Sequence, residues 1–194
     1  RDYEQRAAAG AADEADRYGY VLALERAGRA DAAARELARL PRPAAAGFAL
    51  RLEEARLALL TGNETRAWSL YEALRRTYGN DYVFALSYAE ALVTRGDPRI
   101  AYRLLQTQLH RRPEQPELYE LYARAAEQTG DTAGKHLAMS TYYELNGDVQ
   151  AALDQAEIGL RAPGANGEQL ARLRLRAQHL RELRDDEKDA RLPR

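Results

Sequence analysis

The sequence predicts an all-α fold built from antiparallel helix pairs repeated along the chain. Three observations carry this expectation. Alanine, arginine, leucine and glutamate dominate the composition, while the β-branched residues that favour sheets are scarce. The glycines Gly28, Gly62, Gly96 and Gly130 recur at a constant spacing of 34 residues. Small and apolar residues recur with them in fixed columns.

Seven residues before each glycine stand Val21, Ala55, Ala89 and Ala123. Five after stand Ala33, Ala67, Ala101 and Lys135, and nine after stand Leu37, Tyr71, Leu105 and Met139. Two helices in a hairpin approach closely only where both carry small side chains. A larger apolar residue one turn on then closes the core. The glycine sits at the turn, where a left-handed backbone often ends the first helix. Val21 and Lys135 depart from their columns, so the first and fourth repeats are the least regular.

The pattern predicts helices near 14–27, 30–40, 47–60, 64–78, 82–94, 98–111, 116–129 and 132–145, then near 149–161 and 167–186. Asn80-Asp81 and Asp97-Pro98 have helix-start chemistry, a capping side chain followed in the second case by a first-turn proline. Gly147 follows Gly130 by only 17 residues, with Ser140 and Ala152 at the small positions around it. The helix near 132–145 is therefore expected to serve two repeats. Pro163-Gly164-Ala165-Asn166-Gly167 breaks the rhythm. Leu170, Leu173, Ala177, Leu180 and Leu183 then make one apolar stripe, read as a C-terminal capping helix over an otherwise open core. The expected organisation is 1–13 as the end of a preceding helix or linker, 14–161 as the repeat solenoid, 162–186 as the cap and 187–194 as a flexible tail.

Composition narrows the possible functions. Twenty-nine basic side chains nearly balance 30 acidic ones, for a net charge of -1. No bulk field draws the chain to nucleic acid or to an anionic membrane, so no nucleic-acid partner is expected. There is no cysteine and hence no thiolate chemistry. No stretch approaches the roughly 18 apolar residues that would span a bilayer. His110, His136 and His179 are singletons on separate predicted helices, and none opens a His-Glu-x-x-His motif. Neither a phosphate-cradling glycine run nor a nucleophile-base set exists. No catalytic, cofactor or metal residues are therefore predicted in this chain. It begins at Arg1 without a signal-like segment, which leads us to expect a fragment of a longer protein.

The 34-residue period and its columns resemble the tetratricopeptide repeat over about residues 15–145. The likeness implies a superhelix of antiparallel helix pairs that holds other proteins. The bulky residue usual eleven before the glycine is replaced by Arg17, Arg51 and Ala85, with Tyr119 alone fitting. Of the usual late prolines only Pro113 is present.

A narrower resemblance rests on longer strings. They are Tyr18-Gly19-Tyr20-Val21-Leu22-Ala23-Leu24 before Ala27-Gly28-Arg29, and Tyr142-Tyr143-Glu144-Leu145-Asn146-Gly147-Asp148 before Ala151-Ala152-Leu153. The last helix adds Leu170-Ala171-Arg172-Leu173 and Leu180-Arg181-Glu182-Leu183-Arg184. In this order they resemble the C-terminal repeat domain of bacterial periplasmic zinc metalloproteases of the β-barrel assembly-enhancing type (BepA-like). Even Asp2-Tyr3-Glu4-Gln5 resembles the helix leading into that family's repeats. The resemblance implies a periplasmic location. It also implies contacts with outer-membrane β-barrel proteins or their assembly machinery. Zinc would be held only by an N-terminal protease domain absent from this chain. The alternative is a stand-alone scaffold or secretion-related adaptor with no enzyme attached.

Tyrosine supplies the candidate partner-binding residues. The chain has 12 tyrosines against two phenylalanines and one tryptophan. A tyrosine offers a rigid apolar face with one polar tip. Tyr88, Tyr119, Tyr122, Tyr142 and Tyr143 fall on three neighbouring predicted helices, with Arg124 as a nearby charge. They either line a binding surface on the first helices of successive pairs or fill the wide repeat core. The arginines of the last helix, Arg172, Arg174, Arg176, Arg181 and Arg184, similarly read as a basic surface or as a solvated face. Glu53 and Glu90 stand where a carboxylate-binding groove would need cations, which argues against that mode of recognition.

Overall fold

Asp13 opens the first described helix by accepting the amide of Asp16 on its carboxylate at 2.7 Å. The computed structural model describes residue 3, residues 13–40 and residues 47–190, the side chains of 187–190 excepted. Apart from Tyr3 and Asp13, the expected leading helix or linker of residues 1–13 lies outside them, as do residues 191–194. Ten helices follow among the described residues: α1 Glu14–Arg26, α2 Ala30–Ala38, α3 Phe48–Leu60, α4 Glu64–Tyr78, α5 Tyr82–Arg95, α6 Pro98–Arg111, α7 Pro116–Gln128, α8 Thr132–Leu145, α9 Val149–Gly159 and α10 Gly167–Ala190. No strand occurs among the described residues.

The chain divides into two units within α5, after Ser87. In the N-terminal unit α1 pairs with α2 and α3 with α4, and α2 also packs on α3. Gly28 and Gly62 turn the two pairs at φ 72° and 81°, values that a side chain with a Cβ resists. The small-residue columns meet inside, with Val21, Ala33, Ala55 and Ala67 fully buried. Leu24, Leu37, Leu40 and Leu57 fill the space around the first pair. Tyr71 closes the second pair, with its hydroxyl 3.2 Å from Ser87 Oγ.

One charged group is buried in this unit. Glu53 of α3 is 3% exposed, and its Oε1 has no hydrogen-bond partner. Its Oε2 accepts from Arg56 Nη1 at 3.0 Å, while Arg56 Nη2 reaches Glu25 of α1 at 2.6 Å. Two carboxylates thus share one guanidinium. Burial first, and then the charge of Glu25, pushes the Glu53 carboxyl up to about 7 against the pull of Arg56.

In the C-terminal unit Asp97 caps α6 and Pro98 occupies its first turn, as its residue type favours. Helix α6 packs on α7, α7 on α8, α8 on α9 and α9 on α10. The sharing of α8 is visible in its burial. It packs on both neighbours, and Ser140 and Ala152 at the small positions around Gly147 are fully buried.

The fourth repeat departs from the expected register. Lys135 and Met139 are half-buried, and the interior positions fall one residue earlier at Gly134 and Ala138. Asp131 folds its carboxylate over the start of α8 to cap Gly134, where an added Cβ would meet it.

Helix α10 lays Leu173, Ala177 and Leu180, all fully buried, against α9 and α8. Full burial of each leucine contributes roughly 1.5–3 kcal/mol. The helix therefore caps the stack, as its stripe predicts. It runs on to Ala190, past the point at which the tail was expected to begin.

Candidate functional site

The C-terminal unit carries a groove of about 850 Å³. Its walls come from α6, α7, α8 and the first three turns of α10. Tyr102 and Tyr122 stand side by side with ring centroids 4.8 Å apart. Tyr119 adds a third aromatic face, held by its hydroxyl donating to Pro113 O at 2.9 Å. Leu109, Leu137 and Leu175 supply apolar surface. Leu175 is 70% exposed, the most exposed large apolar side chain among the described residues.

At one side of the groove three elements are tied at Asp131. Its Oδ2 accepts from the Tyr102 hydroxyl at 2.8 Å. Its Oδ1 accepts from Gln169 Nε2 at 2.7 Å and from the Gly134 amide at 2.8 Å. Helix α6, the start of α8 and the start of α10 are thereby fixed to one carboxylate. Burial first, then Tyr122 and Asp131, holds the Tyr102 hydroxyl well above the usual tyrosine range, so it stays a proton donor. Burial also raises Tyr119 and Tyr122. A second cavity of about 530 Å³ adjoins this tie, with Arg99 and Arg103 in its wall.

The predicted partner-binding residues are placed as follows. Tyr119 and Tyr122 line the groove. Tyr88 is buried at 5% exposure, a core position. Arg124 is exposed on α7 but outside the groove's lining. Tyr142 and Tyr143 meet edge to face at 5.4 Å. Both are half-buried, and Tyr143 packs against the apolar core under α10.

The sequence reading missed Tyr102, Gln169 and Leu175. It looked to the first helices of pairs, whereas α6, α8 and α10 supply most of the walls. Of the arginine run on α10, Arg176 bonds Ser140 Oγ at 2.7 Å and pairs with Glu144, while Arg181 pairs with Glu157. Arg172 lines the groove.

The histidines are dispersed. His136 Nδ1 lies 2.9 Å from Gln155 Oε1, His179 is 3.5 Å from Glu144, and His110 lies in the groove wall. Among the described residues no three His, Cys, Asp or Glu side chains cluster to hold a metal ion. No described helix is long and apolar enough to cross a membrane.

In fold the chain is an all-α helical-repeat protein of the tetratricopeptide type. It resembles a MamA RS-1 ArsTM double mutant with a TM-score of 0.59 at 15% identity, over 90% of this chain and 98% of that one. It resembles MamA 41-end from Desulfovibrio magneticus RS-1 with a TM-score of 0.58 at 15% identity, over 90% and 97% of the two chains. A thermophilic TPR protein of Thermus thermophilus, TTC0263, gives 0.53 at 18% identity, over 84% and 98%. At these identities the likeness is one of fold. No protein-family model matches the sequence, and no curated protein matches it.

Proposed function

We propose that this chain is a protein-binding scaffold that holds a segment of a partner in the groove of its C-terminal unit. The observation that carries the reading is the groove itself, lined by three tyrosines together with a largely exposed Leu175. A cleft of this size, with aromatic and aliphatic side chains set among polar ones, can take the mixed side chains of a bound segment. The tetratricopeptide-type fold agrees with this role, and nothing about it calls for an attached enzyme.

A test uses peptides selected on the immobilised chain from a random phage-displayed library. Leu175→Ser removes exposed apolar surface without touching the core. It should weaken the selected peptides by about tenfold, as loss of a groove anchor does. Equal binding by the variant would place the site elsewhere.

The narrower reading makes the scaffold part of a periplasmic metalloprotease that handles outer-membrane β-barrel proteins or their assembly machinery. It rests on the sequence resemblance alone. Zinc would then belong to a separate protease domain. A His-Glu-x-x-His helix encoded upstream of Arg1 in the parent gene would support it, and a start codon close by would favour the stand-alone scaffold.

A further inference from the structure

The groove and the smaller cavity adjoin at Tyr102, Asn166 and Gln169, which line both. Arginines stand on each side of that junction. Arg99 and Arg103 lie one turn apart on α6 at the smaller cavity. Arg172 lies in the larger groove, where its charge acts on the hydroxyls of Tyr119 and Tyr122. The side chains of these three arginines make no ion pair or hydrogen bond among the described residues. Lys135, Arg176 and Arg181 of the same unit are engaged, with Glu127, Glu144 and Glu157, while Arg124 and Arg174, exposed and unpaired among the described residues, lie outside both linings.

The two carboxylates in these walls, Asp131 and Glu168, offset the three only in part. Asp131 already accepts three hydrogen bonds, and Glu168 is exposed at the rim. The chain as a whole has a net charge of -1, so the local excess of cations is not a bulk property. A guanidinium binds a carboxylate through two parallel hydrogen bonds, and such charges at a rim steer the partner and set its salt dependence.

We propose that the site takes an acidic peptide segment of a partner protein. Its carboxylate side chains pair with Arg99, Arg103 and Arg172, and an apolar side chain between them rests on Tyr119, Tyr122 and Leu175. This rests on the groove being the binding site. A nucleic acid is the less fitting anion, because the walls also carry Asp131 and Glu168 and the chain has no bulk positive field.

The experiment uses two immobilised peptide arrays with identical randomised apolar positions. One has Glu or Asp at its fixed positions, and the other has Gln or Asn. The wild-type chain, the triple variant R99E/R103E/R172E and Leu175→Ser are each applied, with folding checked by circular dichroism. The three arginines are exposed and have no ion pair or side-chain hydrogen bond among the described residues, so the triple variant should fold. The acidic array should capture the wild type about tenfold more strongly than the neutral one, and the triple variant should lose that preference.

Equal capture by the two arrays overturns the proposal, as does an acidic preference that survives charge reversal. In those cases sensitivity to Leu175→Ser would still support the groove as the site, whereas capture insensitive to both sets of changes removes the groove as well. Displacement by a single-stranded oligonucleotide, or loss of free sites through self-association seen in sedimentation, also overturns it by naming another occupant.

Discussion

The hydroxyl of Tyr102 donates a 2.8 Å hydrogen bond to Asp131 Oδ2, joining α6 to the start of α8 across 29 residues of sequence. The same carboxylate takes Gln169 Nε2 from α10. The groove's geometry therefore depends on one side chain, and that side chain depends on a glycine. A Cβ on Gly134 would come within 2.0 Å of Asp131 Oδ2.

Gly134→Ala should consequently push the carboxylate away from its partners. Alanine favours a helix over glycine by about 1 kcal/mol, yet the variant should be less stable than the parent. The coupling is the sharper readout. Tyr102→Phe should cost about 1 kcal/mol in the parent and almost nothing in the Gly134→Ala background. Additive losses in thermal or urea unfolding would show that the tie does not pass through Asp131.

Asp131→Ala removes a helix cap and two further hydrogen bonds at once. The loss should reach about 2–3 kcal/mol in the unfolding of the C-terminal unit. Asp131→Asn retains an oxygen for the cap and should lose less. Equal losses in the two variants would assign the effect to charge rather than to hydrogen bonding.

Glu53 predicts a pH dependence of the opposite sense to that of most carboxylates. Its folded value near 7 lies above the ordinary value of 4.5. Between these values the folded state holds a proton that the unfolded state has released. The contribution is complete below about 4.5 and is lost as the pH rises through 7. Tyr18, Glu25 and Arg56 are the other titratable or charged groups that act at this cluster. Glu53→Gln keeps the shape without the titration. Its melting temperature should gain on that of the parent as the pH is raised from 5.5 to 8, by the equivalent of about 2 kcal/mol. Parallel curves for the two proteins would contradict the assignment.

Ala89 tests the repeat register. It is fully buried at a small-residue column of α5. Ala89→Arg forces volume and charge into a packed site, and overpacking alone costs about 1–3 kcal/mol. Unfolding identical to that of the parent would contradict the register.

The helix pairs were legible because close approach leaves a mark in sequence. Ala55, Ala67, Ala89 and Ala101 can be read from period alone, and all are fully buried. Cap chemistry placed α6 at Pro98 for the same reason. The groove was less legible. Tyr102 lies on a second helix, and nothing in its neighbours marks it as the partner of Asp131 29 residues on. Leu175 sits one step off the apolar stripe that buries Leu173, Ala177 and Leu180, where periodicity alone assigns solvent. Tyr88 shares its repeat position with Tyr122, yet one is core and the other lines the groove. Position within a repeat fixes which way a side chain leaves the helix. The neighbouring elements decide what it meets, and around Tyr122 these include the folded-back α10.

The central claim is that a partner segment lies in the groove of the C-terminal unit. Site-specific photocrosslinking tests it most directly. Benzoylphenylalanine is placed at Leu175, which lines the groove, and separately at Ile158, which is 42% exposed but outside the lining. Both chains are illuminated with the phage-selected peptides. Crosslinks at position 175 and none at position 158 are the result predicted here. Crosslinks at position 158 alone, or equally at both, would contradict it.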